Sequence, residues 1–299
     1  MSESKNNSIV QLQLNEWIEL AGKDSISKKK RQVAEITLHA ISMCDELSKI
    51  LVLKGGSLLS IVYKSPRLTT DLDFTSREFD QNYPEFLRDR LNAALHRAAP
   101  SLGYTNIKCR VQKIKKLPKP TIFEEAKAPA LSITIGYITT NTADSRKRLE
   151  NGTAIDTLDI DLSFQEPLVS IELASLEKTS KELPGKVIYI YSLTEIMAEK
   201  FRAYLQQKER NRNRRQDIYD LSYLIANYSE GMDKGSILKA LIIKANSRDI
   251  FPSENSIDDK ELIERAKREW STMKAEVGVI PDFDDCFSIV STFYKSLPW

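Results

Sequence analysis

Residues 51–74, LVLKGGSLLSIVYKSPRLTTDLDF, limit the possible folds of this chain more than any other stretch. The apolar run at 51–53 predicts a short buried strand, which the glycines after Lys54 bring to an end. Residues 58–63 predict one or two helical turns, and residues 72–74 begin a second strand. A strand, a glycine turn, a short helix and another strand in succession indicate an α/β protein.

Two chemical features lie on this frame. A Gly-Gly-Ser turn at Gly55, Gly56 and Ser57 opens the predicted helix, where free backbone N–H groups and the positive helix end can hold a phosphate. Asp71 and Asp73 stand two positions apart on the second strand, so their carboxylates project from one face. Such a pair beside a phosphate suits Mg²⁺, which bridges carboxylates to substrate phosphates. Either feature alone also fits an ordinary turn or a surface pair.

Composition excludes several classes of protein. The 299 residues allow one large domain or two ordinary ones, and 41% hydrophobic with 29% charged residues suit a soluble globular chain. The net charge of +2 means that a nucleic-acid surface must come from local clustering. Three scattered cysteines and two histidines do not form a zinc motif. The chain has no apolar run near the ~20 residues of a membrane span and no signal-peptide pattern, so we expect a cytoplasmic protein without a membrane partner.

The second half of the chain predicts helices from Pro184 onward, so we place domains at 1–184 and 185–299. Ser192 or Thr194 caps a helix in which Lys200 falls inside the apolar stripe. Asp217 falls on the apolar face of the following helix. A charge at such a position must reach solvent or meet an opposite charge.

The central region predicts strands at 105–114, 130–138, 157–164 and 169–176. Five cations lie in the second half of the first of these strands and in the connection to the second: Arg110, Lys113, Lys115, Lys116 and Lys119. A hairpin arm that faces a polyanion and a plain exposed hairpin are equally good interpretations of this stretch.

The glycine turn and the acid pair, with thirteen residues between Ser57 and Asp71, together resemble motif I of the DNA polymerase β-like nucleotidyltransferases. The sequence motif KGGSL followed by RLTTDLDF is similar to the motif of the AbiEii/AbiGii family of bacterial nucleotidyltransferase toxins. A second anchor, AEKFRA at 198–203 and RRQDIYDL at 214–221, matches the later half of the same family. The resemblance covers roughly residues 30–227.

The resemblance implies an α/β (α+β) fold, with a mixed sheet in the first domain and a helical domain that closes over it. It implies transfer of a nucleoside monophosphate from an NTP to RNA, at the 3′ end of tRNA, with growth arrest as the outcome. It also implies a cognate antitoxin encoded nearby. The alternatives are a nucleotidyltransferase acting on a protein or small molecule, and an inactive nucleotide-binding or RNA-binding module.

Roles for individual residues follow from the matched positions. Asp71 and Asp73 are expected to hold Mg²⁺ or Mn²⁺, and Lys200 and Asp217 to lie within about 12 Å of them as catalytic groups. The expected nucleotide-binding residues are Lys54, Gly55, Gly56, Ser57 and Lys200. Members of the superfamily carry a third acid that completes the metal site or accepts a proton, and Asp161 or Asp159 is the candidate. A polar outward strand face explains these two acids equally well.

Overall fold

The computed structural model describes residues 9–80, 82–176 and 186–299. The chain divides into two compact units. The first, called the sheet unit here, contains Met1–Val62, Thr69–Glu166 and Glu172–Ile190. The second, the helical unit, contains Tyr63–Leu68, Pro167–Ile171 and Tyr191–Trp299. The predicted boundary at 184/185 lies outside the described residues, and it stays a prediction. The two short segments that join the helical unit from earlier in the chain were not predicted.

The strands are β1 Val10–Gln11, β2 Leu51–Lys54, β3 Leu72–Ser76, β4 Lys108–Leu117, β5 Ala130–Ile138, β6 Asp156–Ser163, β7 Ile171–Ser175 and β8 Val187–Tyr191. In the described part of the chain they form one eight-stranded sheet in the order β1-β7-β8-β2-β3-β6-β5-β4. β3 is antiparallel to β2 and parallel to β6, whereas β5 is antiparallel to both β4 and β6. The predicted mixed sheet is confirmed.

The helices before residue 184 are α1 Leu14–Glu19, α2 Ser25–Ser42, α3 Asp45–Ile50, α4 Gly55–Val62, α5 Tyr83–Ser101 and α6 Ala143–Glu150. Those after it are α7 Leu193–Leu205, α8 Gln207–Arg210, α9 Arg215–Tyr228, α10 Lys234–Asn246, α11 Lys260–Lys267, α12 Lys274–Val277 and α13 Phe283–Lys295. Ser192 caps α7 as predicted, because its hydroxyl accepts the Glu195 N–H. No helix among the described residues is long and apolar enough to cross a membrane.

One element contradicts the prediction of helices from Pro184 onward. Val187–Tyr191, sequence VIYIY, is the strand β8, which pairs in parallel with β2 near the middle of the sheet. β-Branched and aromatic side chains favour a pleated, buried surface, so this short run is stable as a strand.

The central strands have two different faces. Leu72 and Phe74 of β3 are buried, as are Leu158, Ile160 and Leu162 of β6. On the helical side, α2 and α5 pack against each other, and they contact β6 and β4 respectively. The residues between the buried ones are acidic: Asp71, Asp159 and Asp161 are exposed and Asp73 is half-buried. The alternation of side chains therefore gives the sheet an apolar face and an acidic face.

This core placement predicts a large difference between two isoleucines of one segment. Ile160 is 3% exposed and Ile155 is 79% exposed. Ile160→Ala should lower the free energy of unfolding by about 2–5 kcal/mol, because it removes packed methyl groups and leaves a cavity. The matched control Ile155→Ala should change it by no more than about 0.5 kcal/mol. Urea unfolding measures both, and equal effects would contradict the assigned register.

Candidate active site

The predicted glycine turn joins β2 directly to α4. Gly55 has a φ of +77°, a left-handed conformation that glycine adopts without strain. A Cβ atom at Gly55 would lie 1.9 Å from Oδ2 of Asp73, so only glycine allows this carboxylate to approach the turn. Ser57 is fully buried, and its hydroxyl donates to the backbone carbonyl of Asp71. The turn and the acid pair are therefore locked together, as the resemblance implied, with the Gly56 N–H group in the first turn of α4.

The acid pair lies beside the second pair of acids. In the parallel pairing of β3 with β6, Asp73 is the direct partner of Asp161, and Leu72 is the partner of Ile160. Asp71, the residue just before β3, and Asp159 on β6 each come two positions before Asp73 and Asp161, and they lie close enough for their charges to interact. The structure thus brings Asp71, Asp73, Asp159 and Asp161 together in what we call the acidic row.

Desolvation and neighbouring carboxylates change the pKa of Asp71 in the acidic row. Partial desolvation, followed by the carboxylates of Asp159 and Asp161, raises the pKa of Asp71 above its usual 3.8. Lys30, near the start of α2, acts in the opposite direction. Several carboxylate oxygens with excess negative charge are the donor set that a hard divalent cation prefers, so the residues fit Mg²⁺ or Mn²⁺. Within residues 9–80, 82–176 and 186–299, no group of three or more His, Cys, Asp or Glu side chains is placed so that it could hold a metal ion.

Lys54, predicted to bind the nucleotide, has a buried acidic partner. Its ammonium group lies 2.6 Å from Glu166 and 2.6 Å from the hydroxyl of Ser163, with 13% of the side chain exposed. Thr75 also donates to Glu166, at 3.1 Å. This cluster ties β2, β3 and β6 together next to Asp73. The ion pair gives Lys54 a structural role, and its contact with a nucleotide stays a prediction.

The second anchor is a buried ionic cluster inside the helical unit. The ammonium of Lys200 lies 3.0 Å from Asp217 and 2.7 Å from Asp220. Arg67 donates two hydrogen bonds of 3.0 Å to the carboxylate of Asp220 and contacts Glu276 at 3.3 Å. Of the two possibilities for Lys200, reaching solvent or meeting an opposite charge, the structure shows the second.

Charge balance decides the ionisation of this cluster. Burial by itself would raise the pKa of Asp220, but the charges of Lys200 and Arg67 outweigh it and hold that pKa below 3.8. Burial would likewise lower the pKa of Lys200, and Asp220 and Asp217 raise it instead. Lys200 is therefore a permanent cation at neutral pH. That it acts with Asp217 beside Asp71 and Asp73 stays a prediction.

Sequence reasoning missed three participants: Arg67, Glu166 and Asp220. Arg67 and Asp220 stand inside the two motifs that carry the resemblance, RLTTDLDF and RRQDIYDL, so a signal for them was present. Glu166 follows β6 and is separated from Lys54 by 112 positions, and no local pattern marks it as a partner.

Comparison with known proteins gives a family and a fold. The family model described as nucleotidyl transferase AbiEii toxin, Type IV TA system, matches residues 38–289. MenT4, a nucleotidyltransferase toxin from Mycobacterium tuberculosis H37Rv, is similar with a TM-score of 0.54, 13% identity, and coverage of 95% of this chain and 88% of that chain. A solved structure of a candidate nucleotidyltransferase from H. pylori has a TM-score of 0.50, 14% identity, and coverage of 92% and 95%. At these identities the likeness shows the fold alone. No curated protein matches the sequence.

The raised pKa of Asp71 predicts a pH-dependent effect on stability. Because the folded pKa lies above 3.8, ionisation of Asp71 opposes folding at neutral pH. Asp71→Asn should raise the melting temperature at pH 7 by about 1–2 °C, a small effect because the side chain is exposed. The gain should vanish below about pH 3, where the carboxyl is neutral in both states. Asp89→Asn on α5 is the control, and a gain that persists in acid would contradict this origin.

The ionic cluster predicts the opposite pH dependence. Asp220→Asn leaves two buried cations without their shared partner and should lower the free energy of unfolding by about 3–5 kcal/mol at pH 7. Because the folded pKa of Asp220 lies below 3.8, its stabilisation is present above that value and is lost as pH falls through the folded pKa. Denaturation at pH 7 and pH 3 tests this, with the exposed Asp285→Asn as control. An equal difference in free energy of unfolding between the wild-type and Asp220→Asn chains at both pH values would refute the ionic explanation.

Proposed function

The chain belongs to the AbiEii nucleotidyltransferase toxin family of type IV toxin–antitoxin systems, and from that premise we propose that it transfers a nucleoside monophosphate from an NTP to an RNA hydroxyl. The family resemblance seen in the sequence is confirmed, and the family implies a cognate antitoxin. The proposed acceptor is tRNA, at its 3′ end, so that transfer blocks translation and growth. Both substrates are cytoplasmic, and we place the reaction there.

The observation that carries this proposal is the acidic row beside the glycine turn. Gly55 lets Asp73 approach the start of α4, and Asp73 pairs with Asp161 across the strands. A phosphate-binding helix start and paired carboxylates within one unit are the parts that phosphoryl transfer needs.

Asp71, Asp73 and Asp161 are the residues proposed to hold Mg²⁺ or Mn²⁺. The bound cation would supply charge neutralisation for the triphosphate and a lower pKa for the attacking hydroxyl. The backbone N–H groups of Gly56 and Ser57 would orient the terminal phosphates at the positive end of α4. The acceptor oxygen then forms a bond to the α-phosphorus, the bond to the pyrophosphate oxygen breaks, and Asp159, which is not among the proposed cation ligands, takes the hydroxyl proton.

The decisive experiment follows labelled nucleotide into its acceptor. The protein is incubated with each α-labelled NTP and total cell RNA, with and without Mg²⁺. Label should enter tRNA, and Asp71→Asn and Asp73→Asn should each lower the rate by at least about 100-fold, because each removes an oxygen donor with little loss of fold. Asp156→Asn, on β6 outside the acidic row, is the matched control and should retain transfer.

Two outcomes would overturn the proposal. Label that enters protein or a small molecule, with RNA unlabelled, would assign a different acceptor. Retained transfer in both acid variants would remove the acidic row from the chemistry. Growth provides a parallel readout, because expression of the intact chain should slow growth and the Asp73→Asn chain should not. Equal inhibition by both chains would indicate a binding mechanism.

A further inference from the structure

The outer strand β4 is rich in exposed positive charge. Lys108, Arg110, Lys113 and Lys115 are all exposed on this strand, which ends the sheet in the described part of the chain. The pairing with β5 is irregular between Val111 and Lys113, and it is regular from there to Leu117. Lys113 and Lys115 stand two positions apart in the regular part, so both side chains leave the same face of the sheet.

The first of two rows across the sheet links Lys115 to the acids. Lys115 is the partner of Ser132 on β5, and Ser132 is the partner of Asp161 on β6. Asp161 is in turn the partner of Asp73 on β3. Residues directly opposite each other on neighbouring strands share a face. A cation, a hydroxyl and two carboxylates therefore follow one another along a single line on the acidic face.

The second row runs parallel to the first. Lys113 is the partner of Thr134, and Thr134 is the partner of Asp159. The Thr134 hydroxyl donates to the Asp159 carboxylate at 3.0 Å. Strands lie about 4.8 Å apart, so each lysine Cα is roughly 10 Å from the Cα of the acid in its row. At that distance the lysine does not pair with the acid directly. Its flexible side chain can instead contact a substrate that extends from the acids toward β4.

The two lysines are available to a ligand. Both are exposed, and neither has an acidic partner within the described residues. Lys116, between Lys115 and Leu117, behaves differently: it is half-buried on the other face, and its ammonium lies 5.1 Å from the ring centre of Phe123. Lys115 and Lys116 differ in exposure because successive side chains of a strand point to opposite faces of the sheet.

Helix α6 closes one end of this face. Leu149 of α6 packs with Ile138 and Ala154, and Ile138 is the β5 partner of Lys108. Ser132 and Thr134 lie nearer the start of β5, before this apolar contact at Ile138, and both keep partial exposure. The polar rows are therefore the part of this face that a substrate chain can cover.

We infer that Lys113 and Lys115, with the hydroxyl of Ser132, form a phosphate track that binds the acceptor strand behind its reacting end. The inference rests on the proposed nucleotidyl transfer and adds the residues that hold its acceptor. The carboxylates of the acidic row repel a nucleic-acid backbone, and two cations a short distance away on the same face offset that repulsion. Contacts to phosphates set the position of the strand and carry no base sequence. Lys113 and Lys115 are positioning residues.

The test compares two double variants that remove the same charge. Lys113→Gln with Lys115→Gln removes the track, and Arg97→Gln with Lys239→Gln removes two exposed cations, one on α5 and one on α10. Anisotropy of a fluorescein-labelled single-stranded RNA measures affinity across salt concentrations, and steady-state kinetics measure KM for unfractionated tRNA and for NTP. The track variant should bind RNA roughly 3- to 30-fold more weakly, with the salt slope reduced by about 1.4, or about 0.7 per lost contact.

The kinetic pattern separates positioning from general damage. In the track variant, KM for tRNA should rise while KM for NTP and the melting temperature match the control variant. The same loss of affinity for a DNA oligonucleotide of identical sequence would support contact through phosphates. Equal RNA binding and equal tRNA KM in both double variants would overturn the track while leaving nucleotidyl transfer intact. If the wild-type chain labels no RNA, the proposed function fails, and equal RNA binding by both variants would then overturn the track as well.

Discussion

The parallel pairing of β3 with β6 is the constraint on which the candidate site depends. It sets Asp73 beside Asp161, while Leu72 and Ile160 pair on the buried face. Since side chains alternate along a strand, a slip of one residue would bury the carboxylates and expose the apolar residues. The apolar core therefore holds the acids together although their charges repel one another. Burial of β3 and β6 side chains stabilises an arrangement that the acids alone would disfavour.

Charge is balanced in one part of the chain and unbalanced in another. In the helical unit, Lys200 and Arg67 meet Asp220 in a buried cluster, and each charge has an opposite charge within hydrogen-bond distance. In the acidic row, the like charges and partial desolvation raise the pKa of Asp71. Removal of one partner from the first arrangement would leave a buried charge unpaired, which is strongly destabilising. The second leaves negative charge on an exposed face, which is where we propose that a divalent cation binds.

Local chemistry made much of this site predictable. The glycine turn and the acid pair each span a few residues, and β5 lies at its predicted bounds, Ala130–Ile138. The strand β8 was missed because periodicity cannot distinguish a short apolar run from a buried helical segment. Glu166 was missed as the partner of Lys54 because an ion pair between positions 112 residues apart leaves no periodic signal. The sequence predicted a basic hairpin at β4 and β5, but it did not predict the strand register that places Lys115 in one row with Asp161.

By itself, the sequence determined the residue types and their short spacings: a glycine where the chain must turn, and acids two positions apart that share a strand face. It also determined that Lys200, a lysine on an apolar stripe, must either reach solvent or meet an opposite charge. Only the tertiary structure decided that Asp161 lies opposite Asp73, that Lys54 meets Glu166, and that Lys115 shares their face. Strand order and register are set by the packing of residues far apart in the chain, and backbone periodicity acts over only a few residues.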